Sequence, residues 1–296
     1  MNEIQRAEIA GLINKFSAGN GINCSAIAGV NCIKFNTLND NIPSVYCPSL
    51  CVIVQGKKRV LLENDIFEYQ PSEYLVASVD LPAIGQIVDA TEQNPYLCLQ
   101  IELDLGELTE LSIRVNSGED LDKSSCRGIF IGNVDESLAD SVLRLVRLLE
   151  LPQDIDVLAP IIKREIHYRI LNGQYGRNIA ATAQIGSQMQ RISVAIKILK
   201  NNFKNQINIE ELATQVGMSI SSFHSHFKTV TAMTPLQFQK RFRLLEARKI
   251  MMIEGLDAAS TAYRVGYESP SQFSREYARF FGNPPVRDID AISCKY

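Results

Sequence analysis

The chain has 296 residues, room for about two domains of ordinary size, and carries 30 Lys+Arg against 33 Asp+Glu. Hydrophobic residues make up 46 % and charged residues 21 %, enough for a full globular core. No run of about 18 apolar residues occurs, so neither a membrane-spanning helix nor a membrane partner is expected. The stretch Met1 to Lys15 lacks the basic segment and unbroken apolar run of a signal peptide, and a cytoplasmic protein is expected.

From Leu50 to Leu103 the pattern is short and β-rich. Leu50–Gln55, Arg59–Leu62, Ile66–Tyr69, Tyr74–Val79, Ile84–Val88 and Tyr96–Leu103 read as strands. Gly56-Lys57-Lys58, Asn64-Asp65, Pro71-Ser72, Pro82 and Asn94-Pro95 divide them. Short strands at turn-marked spacing predict an antiparallel barrel or sandwich. The period then changes: Leu138, Val142, Leu145, Val146 and Leu149 mark one face of a helix ended by Pro152. A second helix is predicted from Val157 to Leu171, with Pro160 in its first turn and Asn172-Gly173 at its end. The polar residues from Gln174 to Gly186 read as a linker. Beyond it everything reads as helix. Ser187-x-x-Gln190 fits a capping box, and Thr234-Pro235 opens a long helix with Phe238, Phe242, Leu245 and Met252 on one face.

Charge divides the chain at the same place. Residues 1–186 carry a net charge of −9 and residues 187–296 a net charge of +6. That asymmetry suggests a nucleic-acid-binding module attached to an acidic partner domain. The basic part contains a repeat. Ala213, Val216 and Gly217 recur as Ala262, Val265 and Gly266, and Ser221, Phe223 and Pro235 recur as Ser271, Phe273 and Pro285. Each copy has the parts of a helix-turn-helix. A small alanine sits where two helices cross, a glycine serves the turn, and Ser219 or Ser269 caps the following helix. Phe223 and Phe227, or Phe273 and Tyr277, anchor that helix in the core.

These stretches, "ELATQVGMSISSFHSHFKTVTAMTPLQFQKRFRLLEARKIM" and "AYRVGYESPSQFSREYARFFGNPP", resemble the AraC/XylS family of bacterial transcription regulators. The earlier segments "YCPSLCVIVQGKKRVLL", "YLVASVDLPAIGQI" and "LAPIIKREIHYRILNGQYG" resemble the cupin-like regulatory domain of one branch of that family. The likeness covers about residues 40–290. It implies an α+β protein with an effector-binding and dimerisation domain at 1–173, a linker at 174–186 and a DNA-binding domain of seven helices at 187–296. It implies as partners double-stranded DNA, RNA polymerase, a small-molecule effector and a second copy of the chain. The two recognition helices would enter successive major-groove faces.

With the aromatic anchors inward, helical geometry exposes the remaining residues of each recognition helix. Matching the family pattern puts base contacts at Ser221, His224 and Ser225 on the first helix and at Ser271, Gln272 and Arg275 on the second. Gln pairs bidentately with adenine and Arg with guanine. Lys228, Lys240, Arg241, Arg243 and Arg279 are the phosphate candidates. His224 and His226, two apart on a helix, point about 200° away from each other and do not make a metal pair.

The seven cysteines are Cys24, Cys32, Cys47, Cys51, Cys98, Cys126 and Cys294, none in C-x-x-C spacing. They read as free thiols, mostly small buried hydrophobes. Cys47, Cys51 and Cys98 are the candidates for a thiol sensor, although the sequence shows no basic partner to activate them. With three histidines in all and none from 1 to 166, a metal-dependent enzyme on the barrel is disfavoured, and no metal or cofactor is expected. The −9 charge of the first domain argues against an anionic ligand. A constitutive, architectural DNA-binding protein is the alternative. Finally, Leu138, Val142, Leu145 and Leu149 are the candidate dimer face, because in the family such a helix pairs with its twin.

Overall fold

The computed structural model describes residues 1–115 and 127–293. The first domain begins with α1 (Glu3–Lys15), capped reciprocally by Asn2 and Gln5. Nine strands follow: β1 (Gly21–Cys24), β2 (Val30–Phe35), β3 (Asn39–Tyr46), β4 (Ser49–Gln55), β5 (Lys57–Leu62), β6 (Asp65–Tyr69), β7 (Glu73–Ala77), β8 (Leu81–Asp89) and β9 (Tyr96–Glu102). Then come α2 (Leu105–Val115), β10 (Ile129–Asn133), α3 (Glu136–Arg147), α4 (Ile155–Leu171) and α5 (Gly176–Ala183).

The strands form two antiparallel sheets, a six-stranded one in the order β1-β2-β9-β4-β7-β10 and a four-stranded one in the order β3-β8-β5-β6. Along β4, Cys51 and Ile53 point between the sheets while Leu50, Val52 and Val54 point the other way. Both faces are apolar because both are covered, which is why β4 reads as a continuous hydrophobic run rather than an alternating one. The inner face meets Tyr46, Val60, Leu62, Tyr69 and Ile87 of the smaller sheet. The outer face is covered by helices α1 to α5.

Four expectations change. The stripe Leu138, Val142, Leu145 and Leu149 is buried within one chain, against α1, α4 and the outer sheet face, so it is core and not a dimer face. Burying each such side chain contributes about 1.5–3 kcal/mol, reason enough for the stripe without a partner. The segment read as a linker contains α5, whose Ile179, Ala180 and Ala183 join the same core. Gly176 opens it because a Cβ there would lie 1.7 Å from the carbonyl oxygen of Leu171. Pro82 does not divide strands. It lies next to the first residue of β8, paired with Val45, where a missing amide donor is tolerated. The turn at Gly56-Lys57-Lys58 is only Gly56 (φ 75°), and both lysines belong to β5.

The second domain has seven helices among the described residues: α6 (Gln188–Asn201), α7 (Ile209–Gln215), α8 (Ile220–Thr231), α9 (Pro235–Glu254), α10 (Ala258–Arg264), α11 (Pro270–Phe281) and α12 (Pro285–Ser293). Ser187 caps α6, yet the Gln190 side chain accepts from the Gly186 amide rather than from Ser187, so the reciprocal box is not completed there, whereas Thr234 and Gln237 complete one at the start of α9. No helix of the described residues is long and apolar enough to cross a membrane.

Candidate nucleic-acid interface

The two helix-turn-helix units are built alike. In the first, Asn208 caps α7, Ala213 is buried at the crossing, Gly217 takes φ 66°, and the Ser219 hydroxyl accepts the Ser222 amide to start α8. In the second, Asp257 caps α10, Ala262 is buried, Gly266 takes φ 91°, and Ser269 accepts the Gln272 amide to start α11. Phe223 packs on Phe227 at 5.5 Å between ring centroids, and Phe227 meets Phe238 edge-on at 5.6 Å. Phe273 and Tyr277 repeat the arrangement at 5.5 Å. These i, i+4 pairs fix the rotation of each recognition helix. As a result Ser221, His224, Ser225 and Lys228 on α8, and Ser271, Gln272, Arg275 and Arg279 on α11, are all exposed.

Glu276 organises the neighbourhood of α11. Its carboxylate accepts from Lys240 Nζ (2.9 Å), Gln272 Nε2 (3.2 Å) and Tyr267 Oη (2.9 Å). Burial works to raise its pKa, but Lys240, Gln272 and Tyr267 together hold the carboxyl below its usual range. Gln272 and Lys240 are therefore oriented on a groove of about 620 Å³ between the loop after α6, α9 and the turn of the second unit. Sequence periodicity did not single out Glu276. Its only signal was an acid four residues after Gln272 in an otherwise basic helix.

Two phosphate candidates are placed elsewhere. Arg243 donates to the carbonyls of Phe203 (2.6 Å), Lys204 (3.0 Å), Asn205 (3.0 Å) and Gly266 (2.8 Å). It fastens the loop after α6 to the turn of the second unit, and all its reach is spent on backbone oxygens. Arg241 pairs with Glu63 of the barrel at 2.8 Å and lies over the Phe280 ring at 5.3 Å. Neither points its charge at open solvent. Both are pushed below the ordinary guanidinium value by burial.

The barrel holds α8 by its end. Arg127 Nη1 donates to the carbonyls of Lys228 (2.9 Å) and Thr229 (2.6 Å), and the Gly128 amide donates to Val230 O (2.9 Å). A cation at a helix C-terminus is favoured by the helix dipole. Asp65 pairs with Arg127 at 2.5 Å, and Lys200 of α6 pairs with Asp80 at 2.7 Å. Gly128 is needed there because a Cβ would come within 2.6 Å of Val79 Cγ2.

Of the thiol candidates, Cys47 is exposed at a cleft of about 470 Å³ between β3 and α9, whose walls still desolvate the sulfur and push it up to about 11. Cys51 and Cys98 are buried between the sheets. Burial raises the Cys98 thiol well above its ordinary value, whereas the Cys98 side chain beside it and Lys58 lower Cys51. Lys58 is the basic neighbour that the sequence did not reveal. Cys126 and Cys294 lie outside the described residues. His167 is buried on α4, its Nδ1 bonded to the Glu107 carboxylate, a structural role.

Comparison with known proteins agrees with this geometry. A family described as "AraC-type transcriptional regulator N-terminus" matches residues 26–178, and one described as "Helix-turn-helix domain" matches residues 212–288. The HTH-type transcriptional activator RhaS of Escherichia coli O1:K1 is 26 % identical over 156 residues, 53 % of this chain and 55 % of RhaS. The chain thus spans about half the length of the curated relatives it matches. Among solved structures, ToxT of Vibrio cholerae O395 bound to (E)-4-(8-methylnaphthalen-1-yl)but-3-enoic acid is similar with a TM-score of 0.59 and 10 % identity, over 88 % of this chain and 97 % of that one. Wild-type ToxT of strain SCE256 with an unsaturated fatty acid bound gives a TM-score of 0.56 at 10 % identity, over 88 % and 94 %. At such identity these two share the fold. The family match covers the barrel and its helices from residue 26 to residue 178, more than half of the chain, and the chain belongs to the AraC-type transcriptional regulators.

Proposed function

We propose that the protein is a sequence-specific DNA-binding transcription regulator rather than an enzyme. Its barrel receives a small-molecule signal and passes it to the first recognition helix. The tandem of α8 and α11 carries this reading: two capped helices, each rotated by a buried aromatic pair so that polar side chains face outward. Ser271, Gln272 and Arg275 read bases on one side, and Ser221, His224 and Ser225 make a weaker reader on the other. Lys228 and Arg279 sit a turn further along and contact phosphate. The role of the barrel is supported by its direct hold on α8 and by its likeness in fold to ToxT, two of whose solved structures carry an organic acid. Footprinting of the full chain on the DNA upstream of its own gene tests the proposal. One protected site with two adjacent contacted segments is expected. Binding no tighter than to a shuffled duplex of equal length would refute it.

A further inference from the structure

Glu276 is the only acid of α11, and it lies between Arg275 and Arg279 without an ion pair to either. Its two carboxylate oxygens are taken by other groups. Oε2 accepts from Tyr267 Oη at 2.9 Å, and Oε1 accepts from Lys240 Nζ at 2.9 Å and from Gln272 Nε2 at 3.2 Å. Tyr267 is itself fixed. It is buried, meets the Phe273 ring edge-on at 5.4 Å between centroids, and has the Arg243 guanidinium over its own ring at 6.0 Å. Burial, with Glu276 beside it, pushes the Tyr267 phenol above its ordinary pKa, so the hydroxyl keeps its proton and donates. Glu276 goes the other way. Burial works to raise it, but the three donors hold it below the usual carboxyl range, so it is ionised at neutral pH.

An ionised carboxylate accepts hydrogen bonds and cannot donate them. Of the two ends of the Gln272 amide, only the NH₂ can therefore face Glu276. The choice of orientation, which an unheld glutamine makes anew for each base, is made in advance. One N–H is committed to Glu276, and the carbonyl oxygen and the second N–H remain. That remainder matches one base in the major groove. Adenine offers the N6 amino group as donor and N7 as acceptor. Guanine offers O6 and N7, both acceptors, thymine only the O4 acceptor and cytosine only the N4 donor. An unheld glutamine meets guanine by turning both hydrogens outward, and Gln272 is kept from doing so.

We propose that Glu276 is a positioning residue for base readout: it holds the Gln272 amide in one orientation, so that α11 selects adenine and rejects guanine at a single base pair. This deepens the proposed function and rests on α11 presenting Gln272 to base edges. Gln272 is exposed and at the start of the helix, as that reading needs. Arg275, also exposed, has no carboxylate partner among the described residues, so the base under it is read independently of Glu276.

The test is a selection from randomised duplexes with the full chain, followed by competition binding on the selected site with adenine or guanine at the base read by Gln272. That base is the one whose preference disappears in Gln272→Ala. The parent is expected to favour adenine there by at least about tenfold. Glu276→Gln keeps the length of the side chain but brings an NH₂ that can donate to the Gln272 carbonyl, so both orientations become open. The ratio is then expected to fall to about twofold or less, while the preference at the base under Arg275 stays. In the double variant Gln272→Ala, Glu276→Gln the ratio should equal that of Gln272→Ala alone, since Glu276 acts through Gln272. A purely structural role would weaken all duplexes alike and leave the ratio where it was. The inference falls if Gln272→Ala leaves every base preference intact, if the parent does not favour adenine at that base, or if Glu276→Gln keeps the parental ratio, however weak its overall binding. A parent that selects no site at all would overturn the DNA-binding reading and this inference with it, whereas the other three results overturn the inference alone.

Discussion

Phe223 and Phe227, with their counterparts Phe273 and Tyr277, decide which side chains of the two units can meet DNA, because a buried i, i+4 pair leaves a helix one rotation. That much was legible in the sequence, and all six base-reading candidates are on the open side. What the sequence hid was partnership across elements. Arg241 and Arg243 look like Lys240 in one dimension, yet the fold gives them a barrel glutamate and four backbone carbonyls. Lys58 looked like part of a polar turn, since Gly-Lys-Lys is turn-like in composition; the turn needs only Gly56, and strand parity carries Lys58 inward. At this scale Arg275→Ala is expected to cost about 1–3 kcal/mol of binding to the native site and to relax one base position, whereas Arg279→Ala weakens all duplexes alike. A selection from randomised duplexes, run on both variants, distinguishes the two. Uniform weakening by both would remove Arg275 from the readers.

At the scale of the element, caps and turns were the most legible parts because their chemistry is local. Ser219, Ser269, Thr234, Gly217 and Gly266 all stand where their residue types demand. The helix α5 was missed because its sequence, Gly-Arg-Asn-Ile-Ala-Ala-Thr-Ala, is short and weakly patterned, and docking on α2, α4 and α6 stabilises it. The strands β1, β3 and β10 were missed for a related reason: they lie at sheet edges and lack the long apolar runs of β4 and β9, as does β2, interior to its sheet but interrupted by Asn31 and Lys34. The two turn glycines, alike in sequence, differ in what surrounds them. A Cβ on Gly266 would sit 2.1 Å from Lys204 O, a backbone atom held in place by Arg243. A Cβ on Gly217 would meet only the end of the Arg191 side chain, at 2.9 Å. Gly266→Ala is therefore expected to destabilise by at least about 2 kcal/mol and to abolish binding by the second unit, against about 1 kcal/mol for Gly217→Ala, which carries the positive-φ strain alone. Urea midpoints compare the two directly, and equal losses would mean that the close approach to Lys204 does not matter.

Across the whole molecule, the acidic first domain and the basic second domain meet through opposite charges. Glu63 engages Arg241, Asp80 engages Lys200, and Arg127, itself held by Asp65, closes on the end of α8. The net charges of −9 and +6 point in sequence to a DNA-binding module on an acidic domain and not to these contacts, because which acid meets which base depends on how the β5–β6 turn is presented. The pairing has a measurable consequence. Arg241 is neutralised by Glu63, so in this arrangement it adds nothing to the counterions released when DNA binds. Glu63→Gln removes the partner charge while preserving the shape of the side chain, and leaves the guanidinium available to the phosphate backbone. Binding of the full chain to its site is then expected to show a log–log salt dependence steeper by about 0.9, one phosphate contact more, with base preference unchanged. The double variant Glu63→Gln, Arg241→Met should return the slope to that of the parent. An unchanged slope in Glu63→Gln would place Arg241 beyond reach of DNA in either state, and the Glu63 contact would then serve only to hold the domains together.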